Sequence, residues 1–572
     1  MEELKEADRK NYRRKIFYLK ISSIFTEQNK YDTMKKGEIK KYVSSKLGRM
    51  NDDQKSLFDE MYKNDKLQIC IPTGAGKGFL MIADILNQVA NTENKIFAVA
   101  THRLMLNTQH FNDIFDILTP FVGQVGFIFV GSSKYDTKKL QENTDLNKAL
   151  LEAGLSFNEI ISSTTAKIEV DEIVKEHLDK GRKVVLLSTY HSLHTLNNLE
   201  IDSLYPDEAH TLASEEDGSQ FRKNFEQIKY KRCLFFTATP KDCTDEETDS
   251  FLMNNEDIFG TRIGLNFKHC VDKGYITRPI VHVAEPSNLC LNYNFDSEEN
   301  MALFVSESFE AHKKFLRAGS VAPDKIAPKI LVKCSGVPMM WKIYNRLVGQ
   351  MCNVKICAGA SAFNPDTNFQ HFIDGEGVKN RSEYLERLVD FNDDVPAIVL
   401  HYDTMSEGIN VSGFTGTMFL NGKLGSIAKI LQNTGRSTRL HPEDRANLLN
   451  GIISTSDYSK WIKPNCYVIL PYWDIESEAS SNEIARKIKA LRDNFGFEPD
   501  FKVSIGSDIG DSNSEELLKG LNDKVEKAPK YKLIEDIKHI IEELDQAEID
   551  LAKQAEIDRL SVEEWFNLAN DL

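Results

Sequence analysis

The sequence predicts an α/β protein of two tandem domains on parallel sheets, with a basic helical N-terminal segment and an acidic helical C-terminal tail. Two successive blocks alternate short apolar runs, typical of buried strands, with stretches at helical spacing. A glycine-rich loop between a predicted strand and a predicted helix opens the first block. The predicted divisions are 1–48, 49–277, 278–475 and 476–572.

The composition is that of a globular protein and excludes several other classes. The chain has 572 residues, enough for two to four domains, of which 41% are hydrophobic and 28% charged. The nine cysteines match no zinc spacing, so we expect them to be reduced and mostly structural. No apolar run is long enough to span a membrane, and the N-terminus is charged. We therefore expect an intracellular protein, cytoplasmic or nucleic-acid-associated, that is neither secreted nor membrane-bound.

The charge is unevenly distributed along the chain. Its net value is −16, which does not indicate nucleic-acid binding by itself. The first fifty residues are rich in lysine and arginine, whereas the residues after 500 are acidic. The basic segment is compatible with phosphate contacts and equally with a solvated helix face. The acidic tail either packs on the body of the protein or binds a protein partner.

Each block contains a series of predicted strands. In the first block they are Gln68–Pro72, Ile96–Ala100, Val125–Val130, Lys183–Ser188 and Cys233–Thr237. In the second they are Arg278–Val283, Lys329–Val332, Asn353–Ala358, Ala397–His401, Thr417–Leu420 and Tyr467–Leu470. Beyond residue 500, Phe501–Ile505 has strand-like character, and later residues return to helical spacing.

The glycine-rich loop has the pattern of a phosphate-binding loop. Backbone N–H groups of such a loop and the N-terminus of the next helix hold phosphate, and a lysine reaches the β- and γ-oxygens. The residues that we assign to nucleotide binding are Thr73, Gly74, Ala75, Gly76, Lys77 and Gly78. Gly78 stands where the pattern has the serine or threonine that binds Mg²⁺, so we expect weaker Mg²⁺ binding and an intact site.

Two adjacent acids follow further along the first block, in the tetrapeptide Asp207–His210. We expect Asp207 to bind Mg²⁺ and Glu208 to orient and deprotonate the attacking water. The segment Phe235–Pro240 comes next, with two threonines that can transmit the nucleotide state to the rest of the protein.

These motifs, in this order, resemble those of superfamily 2 helicases and translocases. In the second block, Ser406–Asn410 resembles the fifth motif of that superfamily, and Gln432–Arg439 resembles the sixth, Gln-x-x-Gly-Arg-x-x-Arg. The resemblance covers roughly residues 50–475 and implies two RecA-like domains with ATP hydrolysed between them. It assigns Gly408 to nucleotide binding and Gln432 to the catalytic set. Two arginines three residues apart on a helix, Arg436 and Arg439, would project from one face towards the γ-phosphate.

Within the superfamily, the sequence most resembles the restriction-enzyme-type helicases, which are similar to type III and type I motor subunits. The acidic tetrapeptide, Ser188–Leu193, Asn255–Gly260 and Lys268–Ile276 carry this resemblance. Some members of the superfamily read adenine with a glutamine upstream of the phosphate loop, and Gln54 is the residue that matches it. The resemblance implies DNA as the substrate, although the residues themselves leave RNA open.

The expected function is that of an ATP-dependent nucleic-acid helicase or translocase that uses ATP and Mg²⁺. Two alternatives stay open at this point. One is a motor subunit of a restriction or defence complex, with a protein partner at the acidic tail. The other is a nucleotide-gated nucleic-acid-binding protein with weak hydrolysis. We expect neither nuclease nor methylase activity from this chain, because no acid-x-lysine pair follows Pro499-Asp500 and the N-terminal segment lacks a glycine-rich cofactor loop.

Overall fold

The structure is a computed structural model. It describes residues 41, 44–45, 50–102, 104–131, 140–213, 219–241, 251–287, 297–360, 362–379, 381–389, 395–402, 413–420, 433–471, 488–489, 491–493, 495–497 and 500–509. Of the predicted N-terminal helical segment, Lys41, Ser44 and Ser45 are described and are helical. The remainder of that segment, the predicted tail from residue 510 onward, and the predicted site residues Gly408 and Gln432 lie outside the described residues.

The first sheet has eight parallel strands within the described residues, in the order β4-β3-β5-β2-β6-β7-β1-β8. Its strands are β1 (Lys66–Cys70), β2 (Ile96–Thr101), β3 (Val125–Val130), β4 (Ile161–Thr164), β5 (Lys183–Thr189), β6 (Glu200–Pro206), β7 (Lys229–Thr237) and β8 (Thr261–Gly264). The associated helices are α1 (Asp52–Lys63), α2 (Lys77–Asn91), α3 (Leu104–Leu118), α4 (Thr144–Glu152), α5 (Phe157–Ile160), α6 (Lys167–Asp179), α7 (Gln220–Glu226), α8 (Glu256–Phe259) and α9 (Phe267–Asp272).

Both faces of this sheet are covered, which explains why its strands are continuous apolar runs. Neighbouring residues on a strand face opposite sides of a sheet. Val99 and Phe236 accordingly belong to one buried hydrophobic cluster, whereas Ala98 and Phe235, their neighbours along the chain, belong to the cluster on the opposite face. Parallel strands buried on both faces need helices on both sides, so the sheet lies at the centre of the first domain.

A buried ion pair fixes the helix that follows the phosphate loop. Asp84 of α2 has no solvent exposure, and its Oδ2 lies 2.5 Å from Arg232 Nη1 and accepts a hydrogen bond from the Tyr205 hydroxyl at 2.7 Å. Arg232 Nη2 also donates to the carbonyl of Met61. Because removing one partner would leave a buried charge uncompensated, this group holds α1 and α2 against β6 and β7.

The second sheet has ten strands within the described residues, in the order β13-β12-β11-β14-β10-β15-β16-β9-β17-β18. Its strands are β9 (Arg278–Glu285), β10 (Lys329–Lys333), β11 (Lys355–Gly359), β12 (His371–Ile373), β13 (Glu376–Val378), β14 (Ala397–His401), β15 (Gly416–Phe419), β16 (Asn465–Pro471), β17 (Asp500–Ile505) and β18 (Asp508–Ile509). The strands from β11 to β17 in this order are parallel, whereas the pairs β11–β12, β12–β13 and β17–β18 at the edges are antiparallel. Its helices are α10 (Glu298–Gly319), α11 (Val337–Leu347), α12 (Arg381–Val389) and α13 (Pro442–Leu449).

The predicted class, two α/β domains on largely parallel sheets, is confirmed. One division needs correction, because β17 pairs with β9 along its whole length and the second sheet therefore extends beyond residue 475. The reason is hydrophobic: Val503 packs in a buried cluster with Val281, Leu491 and Phe495. The other predicted divisions stay predictions. None of the helices described in the structure is long and apolar enough to cross a membrane.

Candidate active site

The phosphate-loop pattern occupies the carboxyl end of β1, in the turn that leads into α2. Gly74 and Gly76 have φ angles of 91° and 103°, in the left-handed region that glycine adopts without strain. Space is also limiting at Gly76, because a Cβ atom there would lie 2.5 Å from Gln54 Nε2. Lys77 is the first residue of α2, so its side chain starts at the positive end of the helix dipole.

Gln54 lies against this loop, as its predicted role requires. It stands in the first turn of α1, where its Oε1 accepts a hydrogen bond from the backbone of Asn51 at 3.2 Å. The amide nitrogen of the same side chain faces Gly76. This contact places Gln54 beside the loop that would hold a nucleotide, and recognition of adenine by Gln54 stays a prediction.

The ammonium group of Lys77 lies between the two acids. Its Nζ is 2.9 Å from Asp207 Oδ1 and 2.8 Å from Glu208 Oε1, and all three side chains are largely shielded from solvent. Burial alone would lower the pKa of Lys77, but the two carboxylates raise it above its ordinary value. Burial alone would raise the pKa of Asp207, but Lys77 and His110 lower it. Lys77 and Asp207 are therefore both charged at neutral pH.

The backbone around the acids is held from three sides. Asp207 follows β6 directly, its N–H donates to the carbonyl of Ala100 at 2.8 Å, and its carbonyl accepts from the Tyr190 hydroxyl at 2.7 Å. Glu208 has a φ of 53°, in the left-handed region, which costs a non-glycine residue roughly 1–2 kcal/mol. A residue held in this conformation by its surroundings is typical of functional sites.

His110 is a site residue that the sequence reasoning missed. It belongs to α3, is buried, and its Nε2 lies 3.0 Å from Asp207 Oδ2. The contact orients the carboxylate, so that Asp207 Oδ1 faces Lys77. The only signal in the sequence is a histidine in a predicted helix after β2, and that signal does not point to Asp207.

The last residue of the acidic tetrapeptide connects the site to the end of β7. His210 Nδ1 lies 3.0 Å from Thr237 Oγ1 and 3.6 Å from Glu208 Oε2. Thr237 Oγ1 in turn accepts from the N–H of Thr239 at 3.1 Å. The predicted relay through the two threonines thus has a continuous path of contacts from Glu208, and the relay itself stays a prediction.

The donor set fits Mg²⁺, a hard cation that prefers oxygen ligands. Asp207 and Glu208 present carboxylate oxygens at one place, and no donor in the described part of the chain makes a hydrogen bond to the buried Glu208 Oε2. No group of three or more histidine, cysteine, aspartate or glutamate side chains suited to a metal occurs in that part. Mg²⁺ rarely needs such a group, since it binds through one or two carboxylates together with phosphates and water.

The sixth-motif segment of the second domain contacts the phosphate loop directly. Thr438 Oγ1 donates to the Thr73 carbonyl at 3.4 Å, and a Cβ on Gly435 would lie 2.5 Å from Thr73 Cβ. Arg439 reaches the same loop, because a Cβ on Gly74 would lie 3.5 Å from Arg439 Cγ. The second domain therefore completes the surroundings of the loop.

The spacing of the two arginines predicts that they lie on one helix, and this prediction is wrong. Residues 433–437 are helical and include Arg436, whereas Arg439 lies beyond the end of this helix. The helix ends there because the Thr438 carbonyl accepts two hydrogen bonds from Thr277. The N–H of Thr277 donates one at 2.7 Å, and its hydroxyl donates the other at 3.1 Å. Pro442 then begins α13, at a position where a helix does not need the N–H that proline lacks.

Positive charge is concentrated beside the loop. Burial, together with the charges of Arg436 and Arg445, lowers the pKa of Arg439 to about 9. The guanidinium therefore keeps its charge at neutral pH in surroundings that disfavour it.

Comparison with known proteins agrees with the motifs. Residues 45–242 match the family model described as type III restriction enzyme, res subunit. This stretch contains the phosphate loop, both acids and the threonines of β7. The predicted resemblance to the restriction-enzyme-type motors of superfamily 2 is thereby confirmed for the first domain. No curated protein matches the chain.

One solved structure shares the fold, and a second is given with it for comparison. The ATP-dependent Type ISP restriction-modification enzyme LlaBIII, bound to DNA, aligns with a TM-score of 0.55 at 15% identity, over 86% of this chain and 32% of that enzyme. The helicase Lhr of Mycobacterium smegmatis, bound to single-stranded DNA and AMP-PNP, aligns with a TM-score of 0.46 at 11% identity, over 81% of this chain and 50% of Lhr. The chain thus spans about a third of the length of LlaBIII, and its likeness to that enzyme shows a shared fold.

Proposed function

We propose that the protein is an ATP-dependent helicase or translocase that acts on DNA and hydrolyses ATP between its two α/β domains. The observation that carries this proposal is the convergence of two sets of residues at the phosphate loop. Lys77, Asp207 and Glu208 come from the first domain. Residues 433–439, the arginine segment, come from the second. The family match over residues 45–242 supports the same function. The DNA-bound restriction enzyme with a similar fold supports DNA as the nucleic acid.

Each side chain has a distinct part in the proposed reaction. Lys77 exchanges its contacts with the carboxylates for contacts with the β- and γ-phosphates of ATP. Glu208 accepts the proton of the water that attacks the γ-phosphorus, while the bond from the γ-phosphorus to the bridging oxygen breaks and ADP leaves. Arg436 and Arg439 stabilise the negative charge of the transition state. Asp207 would hold Mg²⁺, which would neutralise part of the phosphate charge.

The proposal is tested by measuring ATP hydrolysis alone and with single-stranded DNA, duplex DNA or RNA. We expect stimulation by DNA. On a labelled duplex with ATP and Mg²⁺, we expect strand displacement, or displacement of a protein roadblock, with full-length strands recovered. The proposal would be contradicted if the full chain produced cleaved strands and mutation of residues 476–572 removed them. Hydrolysis stimulated by RNA and not by DNA would also contradict it.

The family match also favours a second possibility, a motor subunit of a restriction or defence complex. The matched family is named for such a subunit. A pull-down with the full chain, compared with one in which the acidic residues after 510 are neutralised, tests it. Recovery of a nuclease or methylase polypeptide by the full chain alone would support both the complex and the predicted role of the acidic tail.

Substitution of Gly78 by serine is expected to lower the Mg²⁺ concentration needed for half-maximal hydrolysis. Gly78 is in α2, and a Cβ atom added there meets no atom within 4 Å, so a side chain fits. The added hydroxyl supplies the oxygen that the loop lacks beside the metal.

The matched control for this prediction is Gly78→Ala, which adds the same Cβ without the oxygen. The alanine variant should keep the Mg²⁺ dependence of the original protein. If both variants shift the dependence equally, the effect comes from the backbone, and the proposed role of the hydroxyl is wrong.

A further inference from the structure

Lys463 is a buried lysine in the second domain, just before β16, to which the proposed mechanism gives no part. It is 2% exposed, and its Nζ donates hydrogen bonds to three backbone carbonyls: those of Phe414 at 2.7 Å, Ser437 at 2.7 Å and Arg439 at 2.6 Å. An ammonium group has three N–H donors, which matches the number of these carbonyls. This arrangement is specific to lysine, because the planar guanidinium of arginine presents its donors as a fork.

The three carbonyls are not an arbitrary set. Ser437 is the last helical residue of the sixth-motif segment, and carbonyls at a helix C-terminus lack partners within the helix. The second carbonyl belongs to Arg439 itself. The third belongs to Phe414, which precedes β15. The arginine segment packs on β15 through a hydrogen bond from Thr417 Oγ1 to the Asn433 carbonyl. A positive charge is also favourable at this end of a helix. Lys463 therefore connects the end of the arginine segment to the second sheet.

The backbone of Lys463 is itself held in place. Asp444, in α13, has no solvent exposure, and its two carboxylate oxygens accept hydrogen bonds from the N–H groups of Ile462 at 2.9 Å and Lys463 at 2.8 Å. The chain thus leaves the arginine segment, supplies Asp444 in the next helix, and returns with Lys463 to the carbonyls of that segment. A buried carboxylate with two backbone donors makes a rigid base for the lysine.

We propose that Lys463 is a positioning residue for the arginine pair: by binding the carbonyls of Ser437 and Arg439, it holds the segment that carries Arg436 and Arg439 against the phosphate loop. The role rests on the proposed function, since it concerns the arginines of that site. Lys463 would not touch the nucleotide. Its loss would leave nucleotide binding by the first domain intact and displace the arginines, and a displacement of about 1 Å can cost on the order of a hundredfold in rate.

The test compares Lys463→Met with Lys489→Met in the full chain. Lys489 is also buried in the second domain, and its Nζ pairs with Asp493, four residues further along the chain, at 3.1 Å. We expect Lys463→Met to lower kcat by about a hundredfold with little change in KM, and Lys489→Met to keep both. Asp444→Asn, a milder change, should lower kcat less and in the same manner, which covers the case in which Lys463→Met does not fold. Equal kcat values in the Lys463 and Lys489 variants, or an unchanged kcat in a folded Asp444→Asn variant, would overturn the proposal.

A second measurement separates positioning from general destabilisation. In a chain that already carries Arg436→Ala and Arg439→Ala, Lys463→Met should cause no further loss of single-turnover rate, because the residues it positions are gone. A further loss of the same size in this background would overturn the proposal.

The inference can also be tested if the protein shows no hydrolysis, a result that would defeat the proposed function alone. Amide hydrogen exchange of residues 433–441 should be faster in Lys463→Met than in Lys489→Met, while exchange in α2 stays the same. Equal exchange in the two variants would show that Lys463 does not hold this segment.

Discussion

Lys77→Ala and Glu208→Gln are both expected to abolish ATP turnover, and nucleotide binding should distinguish them. Removing Lys77 takes away the charge that holds the phosphates and leaves the two carboxylates that it contacts facing each other without a cation. Nucleotide affinity should therefore fall. Glu208→Gln removes only the base, so ATP should still bind and remain unhydrolysed.

The measurement is equilibrium binding of a fluorescent ATP analogue, with turnover recorded in parallel. Lys63→Ala is the control, because Lys63 is an exposed lysine that pairs with Glu60 at the end of α1. It should leave affinity and turnover unchanged. An equal loss of affinity in Lys77→Ala and Glu208→Gln would contradict the assigned roles, since it would mean that both residues act on binding.

Arg436→Ala and Arg439→Ala are expected to lower the rate of hydrolysis by about a thousandfold or more, the scale of arginines that stabilise phosphoryl-transfer transition states. ATP binding should change little, because the phosphate loop and Lys77 belong to the first domain. Stopped-flow hydrolysis and equilibrium binding on the same preparations test this prediction.

Arg346→Ala supplies the comparison for the arginine variants. Arg346 lies on α11 of the same domain and pairs at the surface with Glu299 at 2.7 Å. Its loss removes an arginine without touching the loop, so turnover should persist. Normal DNA-stimulated turnover in both Arg436→Ala and Arg439→Ala would show that the second domain does not complete the site.

Elements with a strong local signal were predictable from the sequence. The central strands are continuous apolar runs because both sheet faces are covered, so each predicted strand overlaps an observed one. The sequence does not predict β6, because Asp202 and Ser203 interrupt its apolar pattern. The Asp202 carboxylate in fact accepts hydrogen bonds from the N–H groups of Lys95 and Ile96, a satisfied partnership that only the fold reveals. Short edge strands such as β12 and β13 carry too few residues for a period to be seen.

The candidate site divides in the same way. Lys77, Asp207 and Glu208 lie in fixed local patterns, so their positions could be inferred before their contacts were known. His110 and Lys463 have no such pattern. Each acts through a partner distant along the chain, His110 through Asp207 and Lys463 through the carbonyl of Arg439. Only the three-dimensional arrangement brings these partners together.

The hydrogen bonds from Thr277 to Thr438 have a mechanical consequence. Thr277 is the residue immediately before the second sheet begins, and Thr438 stands between the two arginines. If the second domain turns about this junction, the arginines sit beside the axis and β13, at the edge of the sheet, is far from it. A small shift next to the phosphate loop would then correspond to a large displacement at that edge. A rotation of the second domain would therefore move atoms little beside the phosphate loop and much at β13.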